Sequence, residues 1–329
     1  MIAKDMTIET NSGQAGSGSE QLSRLLLPVD SLAAFERTLP LAEVLIRAMA
    51  VERKKVALLH VVSGSYLRDY MEGISVDRGD LPDTEQMKQL RRRHEENVVK
   101  PLMRQAGVLL HKTSGIEQAA TIIEHGDPIK VIGEVCREGS FSTVVMSRQN
   151  EAERGGKLTG SVTAGLLHRY AGSTFYLAGD RRADDDMFAR CLIGVDDSSA
   201  SRNAVIEAGT LLSKNLDAID TLNLVHVLDQ SCYYEEDGKS CMQTSVAGQK
   251  ALEEAGNRLI DMGIPSGKIT AVIHFGRPGT VLAEEALACQ ATSIFIGRRD
   301  RSRLAQTFLG SVCLDIIQSC RERTLVLAS

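Results

Sequence analysis

The sequence predicts an α/β protein made of two tandem domains, each a doubly wound, five-stranded parallel sheet. Two observations carry that prediction. The chain repeats itself, and each repeat alternates short β-branched runs with longer amphipathic stretches, the pattern of βαβ units. Within residues 25–30 (LLLPVD), the last five recur as 192–196 (LIGVD), and the run around His60 (ALLHVV) recurs around His226 (NLVHVL), both 166 positions apart. Further on, residues 125–128 (HGDP) answer 275–278 (FGRP), and 160–162 (GSV) answer 310–312 (GSV), each offset by 150. The change from 166 to 150 places a 16-residue excess in the first copy, between its second and third strands. Self-similarity at this period means one fold used twice.

The first copy is expected to place strands near residues 24–29, 56–62, 116–124, 143–147 and 174–178; the second, near 190–195, 220–228, 269–274, 293–297 and 324–328. Residues 1–20, rich in Ser, Gly, Thr and Glu and without an apolar signal core, are expected to form a disordered tail. The domains then run over 21–180 and 187–329, joined by the polar stretch 179–186 (GDRRADDD). The excess of the first copy falls in 63–114, where a turn-rich loop (76–83, VDRGDLPD) precedes a helical pattern from Thr84 to about Leu110. Pro101 should kink or interrupt that helix. Arg91, Arg92 and Arg93 read as a solvated face, with an anionic docking patch as the alternative.

Composition bounds the function. The 329 residues carry a net charge of −5, which gives no reason to expect a nucleic-acid or membrane partner, and the apolar runs are strand-sized. Seven scattered cysteines, mostly in apolar periodic segments, read as buried thiols of a reducing cytoplasm. Cys232 and Cys241 lie after the second strand of the second copy, either as a redox or metal-sensing pair or as bystanders in a loop. Residues 155–157 (GGK) resemble the tail of a phosphate-binding loop, but Leu158 stands where a Ser or Thr must hold Mg²⁺. No Cys or His cluster has zinc spacing, and no Ser, His and Asp or paired carboxylates are arranged for catalysis. The residues give no basis for an efficient enzyme.

In an open parallel sheet, ligands gather beyond the carboxyl ends of the strands, where strand order reverses. If the fourth strand lies beside a central first strand, the loops after these two strands line that crevice. After the first strand come Asp30-Ser31 and Asp196-Asp197-Ser198-Ser199, suited both to contact a ligand and to cap the next helix. After the fourth come residues 147–150 (SRQN) and 297–300 (GRRD), each followed, after nine intervening residues, by Gly-Ser opening a helix. A helix N-terminus offers unpaired N–H groups and a positive dipole end, so the arrangement suits a phosphate. Arg298, Arg299, Arg301 and Arg303 would add charge there in the second copy, and Arg148, Arg154 and Lys157 in the first; an exposed polar loop is the alternative. His60 and His226 sit mid-strand and read as core residues.

These features resemble the universal stress protein family, in particular its tandem two-domain members. That family carries G-x2-G-x9-G-[ST] after its fourth strand, an acidic turn after its first, an LLHV-type second strand and a G-[DR]-P turn after its third. The resemblance covers nearly the whole chain beyond the tail. It implies a 3-2-1-4-5 strand order, fifth strands paired between domains as an internal pseudo-dimer, and, in some members, ATP or AMP in the switch-point crevice. Carried over residue by residue, the contacts would be Asp196, Val227, Gly297, Arg298, Arg299, Gly310 and Ser311 in the second domain, and Asp30, Val61, Asn150, Gly160 and Ser161 in a degenerate first site, with Mg²⁺ accompanying ATP.

The motif is altered in both copies. The second reads Gly297-x2-Asp300-x9-Gly310-Ser311, and the first reads Ser147-x2-Asn150-x9-Gly160-Ser161. Asn and Asp tolerate a left-handed backbone best after glycine. A carboxylate at Asp300 held about 6 Å from a phosphate would still cost about 3 kcal/mol per phosphate charge at an effective dielectric near 20. Three readings follow: a cytoplasmic regulatory module holding an adenine nucleotide in its second domain, a nucleotide-free scaffold or other small-molecule binder working through a protein partner, and a slow ATP hydrolase. A monomer with internal pseudo-symmetry is expected, with a homodimer as the alternative.

Overall fold

The computed structural model describes residues 24–48, 55–64, 84–117, 119–148, 161–170, 172–179, 187–230, 239–298 and 310–329. The first half contains β1 (Leu25–Pro28), α1 (Leu32–Ala48), β2 (Val56–Val62), α2 (Thr84–His94), α3 (Lys100–Ser114), β3 (Ala120–His125), α4 (Pro128–Glu138), β4 (Thr143–Ser147), α5 (Ser161–Arg169) and β5 (Thr174–Ala178). The second contains β6 (Arg190–Gly194), α6 (Ser199–Leu212), β7 (Thr221–Asp229), α7 (Lys239–Asp261), β8 (Ile269–Gly276), α8 (Pro278–Ala288), β9 (Ser293–Gly297), α9 (Ser311–Ser319) and β10 (Thr324–Ala328). Strands β2, β4, β5, β9 and β10 begin and end where the sequence pattern puts them.

The ten strands form one sheet rather than two separate ones, in the order β3-β2-β1-β4-β5-β10-β9-β6-β7-β8. Each half is parallel within itself, and β5 meets β10 antiparallel. The central pair is Tyr176 opposite Val326, residues that the 150-residue offset makes equivalent. A pseudo-twofold axis therefore passes through that pair, as a self-complementary contact requires. Joining β5 to β10 hides one edge of each half and leaves β3 and β8 as the outer edges.

Alternation along the central strands supplies two cores, one on each face, and both run across the junction. Tyr176, Ala178, Val326 and Ala328 face the layer holding α1, α3, α6 and α7. Phe175, Leu177, Leu325 and Leu327 face the layer of α4, α5, α8 and α9. The period-2 placement of β-strand side chains thus knits the halves together on both sides.

Two expectations need correction. The helix that the pattern ended near Leu110 runs to Ser114, where Gly115 closes it in the left-handed conformation, φ 70°. The third strand accordingly starts at Ala120 and not near Ile116, and Ile116 is instead a buried residue of the helix-to-strand turn. A single apolar residue next to a strand reads as part of it. The interruption expected at Pro101 is present as a π-helical turn, Glu95–Val99, immediately before α3. The wider i→i+5 spacing there precedes a residue that has no N–H to donate. Arg91, Arg92 and Arg93 are exposed on α2.

Cys136, Cys191, Cys313 and Cys320 are buried and Cys289 half-buried, all as free thiols, and burial pushes the Cys136 thiol up to about 12. Cys232, the tail at 1–20, the loop at 76–83 and the linker beyond Gly179 lie outside the described residues, as does the side chain of Cys241. Among the described residues no helix is long and apolar enough to cross a membrane.

Candidate functional site

Strands β6, β7 and β9 end together because β6 pairs with both neighbours in parallel. The turns leaving these carboxyl ends enclose a cavity of about 870 Å³. Its apolar wall includes Val195, Val225, Val227, Leu282, Ile296 and Val312; its polar rim includes Asp196, Asp229, Arg277 and Ser311. A crevice of this size, apolar with a few converging polar groups, is the usual form of a small-molecule site.

The acidic turn after β6 is built by its own side chains. Asp196 Oδ1 accepts from the Ser198 N–H at 2.9 Å and from the Ser198 hydroxyl, while the Asp196 N–H donates to Ser201 Oγ at 2.9 Å. Ser198 Oγ accepts from the Ser201 N–H at 3.1 Å and caps α6. Capping is thus an observed role of this turn, and it holds one carboxylate oxygen of Asp196 at the rim. The first copy has a simpler version, with Ser31 Oγ accepting from the Ala34 N–H at 3.2 Å and Asp30 exposed.

His60 and His226 fix these turns from below. Nδ1–H of His60 donates to Val29 O at 2.7 Å, and Nδ1–H of His226 donates to Val195 O at 2.8 Å. His226 is buried, borders the cavity, and packs an edge of its ring against Gly248 of α7, where a Cβ would overlap it.

The two described glycines of the fourth-strand motif do different work. A Cβ on Gly297 would overlap the carbonyl of Ala200 and lie 2.6 Å from Ser201 N, so the end of β9 is glycine because the α6 backbone crosses it. Around Gly310, which caps α9, no described atom lies within 4 Å of a built Cβ. Gly310, Ser311, Val312 and Cys313 line the cavity, so the start of α9, with its unpaired first N–H groups, borders it. Gly310 and Ser311 are both exposed.

Arg298 borders the cavity, but its guanidinium leaves it. The Arg298 N–H donates to Ala328 O at 2.8 Å, its Nη2 donates to Tyr170 O in the first half, and its Cζ lies 5.1 Å from the Phe175 ring centroid. The side chain is only 8 % exposed and belongs to the junction between the halves.

The structure therefore brings Asp196, Val227, Gly297, Arg298, Gly310 and Ser311 to one cavity. Asp30 and Val61 lie at the corresponding strand ends of the first half. Arg299, Asn150 and Gly160 lie outside the described residues, as does the side chain of Ser161, which opens α5. Sequence reasoning missed Leu167, which reaches the cavity from α5 of the other half, and Arg277, which is ion-paired to Asp315 at 3.1 Å. The repeat had marked Arg277 in its FGRP turn; nothing marked Leu167. Among the described residues no three His, Cys, Asp or Glu side chains gather to hold a metal ion.

Residues 187–327 match the model of the Universal stress protein family. The second domain belongs to that family. The first half repeats that fold, and solved structures align along both halves. A universal stress protein from Archaeoglobus fulgidus DSM 4304 aligns over 94% of this chain and 99% of its own, with a TM-score of 0.64 at 19% identity. A functionally unknown protein from Pseudomonas aeruginosa PAO1 aligns over 95% and 94% at TM-score 0.51 and 13% identity. A putative universal stress protein from Pseudomonas aeruginosa UCBPP-PA14 covers 94% of each chain at TM-score 0.50 and 14% identity. These likenesses establish the fold. No curated protein matches the chain.

Proposed function

We propose that the chain is a cytoplasmic regulatory module that holds an adenine nucleotide, ATP or AMP, in the crevice of its second domain, with a degenerate site in the first. The observation that supports this reading is the convergence of Asp196, Val227, Gly297, Gly310 and Ser311 on one cavity of about 870 Å³ beyond the strand ends. Val227 and the apolar wall take the base, and the carboxylate of Asp196 at the rim meets the ribose hydroxyls. The N–H groups opening α9 and the Ser311 hydroxyl meet the phosphates. Because the Arg298 guanidinium is engaged by Tyr170 O and Phe175, phosphate recognition rests on those amides. ATP brings its Mg²⁺ on its own phosphates. Occupancy alters a surface for a protein partner.

The engagement of Arg298 also favours a second reading, a nucleotide-free scaffold whose crevice takes another small molecule. Native mass spectrometry of the freshly purified protein, with identification of any released molecule, separates the two. One ATP or AMP per chain is expected. The Asp300→Gly variant, which restores the glycine of the sequence motif and removes a carboxylate, should tighten ATP binding about tenfold, or about 1.4 kcal/mol. If neither the parent nor this variant binds ATP or AMP, the nucleotide reading is wrong and the scaffold stands.

A further inference from the structure

The helix that opens on the second-domain crevice is held at its other end by the first domain. Arg148, at the end of β4, is 4 % exposed and donates from Nη1 to Cys320 O at 2.8 Å. Cys320 is the C-cap of α9, whose N-cap is Gly310 at the crevice. The equivalent contact runs the other way: Arg298, at the end of β9, donates to Tyr170 O just beyond α5. Both residues of one pair are 150 positions from their counterparts in the other, so the arrangement obeys the pseudo-twofold. Leu167 of α5 also forms part of the second crevice wall.

The last carbonyls of a helix have no partner within it and carry partial negative charge, so a buried guanidinium there makes a strong, charge-assisted contact. An α-helix of nine residues is a stiff rod about 13 Å long, so fixing its C-terminus constrains where its N-terminus points.

We propose that Arg148 of the first domain is a positioning residue for the ligand crevice of the second. By holding the Cys320 carbonyl it sets the aim of the N–H groups at Gly310 to Val312. The first domain then acts as an internal regulator: whatever shifts the carboxyl end of β4 resets the crevice of the second. By linkage, occupancy of the second crevice feeds back on the end of β4. The ligand consequence rests on the nucleotide reading above; the control of α9 does not.

The test uses the full chain with Arg148→Met, which keeps an unbranched apolar stem and removes the donors, and Arg148→Lys, which keeps one charged donor group. Hydrogen exchange over residues 310–320 without ligand should be at least tenfold faster in the Met variant. Exchange across α6, in the same domain, should stay within twofold, and Lys should restore most of the difference. Calorimetric titration with Mg-ATP should show about fivefold weaker binding for Met, recovered by Lys. Unchanged exchange at 310–320, or acceleration spread evenly over both domains, overturns the proposal. So does Met-variant ATP affinity equal to the parent's despite a loosened α9. A parent that binds no ATP sinks the nucleotide reading, and exchange alone then decides the role of Arg148. If the Met variant does not fold, Arg148→Gln, which removes the charge and keeps a neutral donor, takes its place, and parental exchange at 310–320 in that variant overturns the proposal.

Discussion

The two halves make the same helix contact with the partners exchanged. In the first, Gly165 of α5 receives Ile129 of α4, whose δ1 methyl occupies the space of a Cβ. In the second, the residues 150 positions on are Gly279 of α8 and Asp315 of α9, and the carboxylate of Asp315 fills the space of a Gly279 Cβ. The small residue has moved to the other helix, and the large one has changed from hydrocarbon to acid. The spacing of two helices depends on the sum of the facing side chains, so either helix can carry the glycine. What cannot be exchanged is the chemistry left at the surface. Asp315 pairs with Arg277 on the crevice rim, whereas at the position equivalent to Arg277 the first half has Asp127, which caps α4 by accepting from the Lys130 N–H at 3.0 Å.

A second contrast lies at the junction. Tyr176 of β5 donates its hydroxyl to Glu207 Oε1 of α6 at 2.7 Å, with both residues fully buried. The positions equivalent to these two are Val326 and Leu41, a purely apolar combination. Burial pushes the Glu207 carboxyl up to about 7 from an ordinary 4.5, and the Tyr176 hydroxyl only partly opposes this. The fold therefore favours the protonated acid, and folding takes up a proton between those two values. Stability from this group is full below the ordinary value and is lost as pH rises through about 7.

The largest effect should come from the two strand ends. Gly297→Ala forces a Cβ into the backbone of α6 and should cost about 3 kcal/mol in urea unfolding. The equivalent Ser147 already carries a side chain, so Ser147→Ala should change stability by less than about 0.5 kcal/mol. Equal losses at both would show that the halves do not differ there.

Next comes the buried acid. The stability of Glu207→Gln relative to the parent should rise by about 3 kcal/mol between pH 5 and pH 9, because only the parent ionises in the core. A difference that stays flat with pH would place the carboxylate in water.

The exchanged glycine contact is a smaller test. Gly165→Ala should cost about 2 kcal/mol in the parent and about 1 kcal/mol less in an Ile129→Ala background, measured as a double-mutant cycle. Additivity would mean that the two residues do not share the space. The smallest effect belongs to the surface pair: Asp315→Asn should lower stability by no more than about 0.5 kcal/mol, since Arg277 is largely exposed.

Much of the architecture was legible because the signals are local and occur twice. The β-branched runs at 143–147, 174–178, 293–297 and 324–328 gave their strands to the residue. The crevice was legible too, since the turns at Asp196 and Gly310 are read from strand ends and a helix start. Arg298 was not. A basic residue after the fourth strand has the same local sequence whether its guanidinium meets a ligand, solvent or the neighbouring domain. Ile116 was misplaced for a related reason, since hydrophobicity marks burial without distinguishing a strand from the turn before it.

The sequence by itself determined the doubling, the strands and the crevice at their carboxyl ends, because periodicity, turn residues and helix starts act over a few positions. Only the tertiary structure decided that Arg148 and Arg298 cap helices of the opposite half, that Leu167 enters the second crevice, and that Tyr176 meets Glu207. Those contacts cross the antiparallel seam between β5 and β10. Residues far apart in the chain become neighbours there by symmetry, and no local period records which side chains will meet.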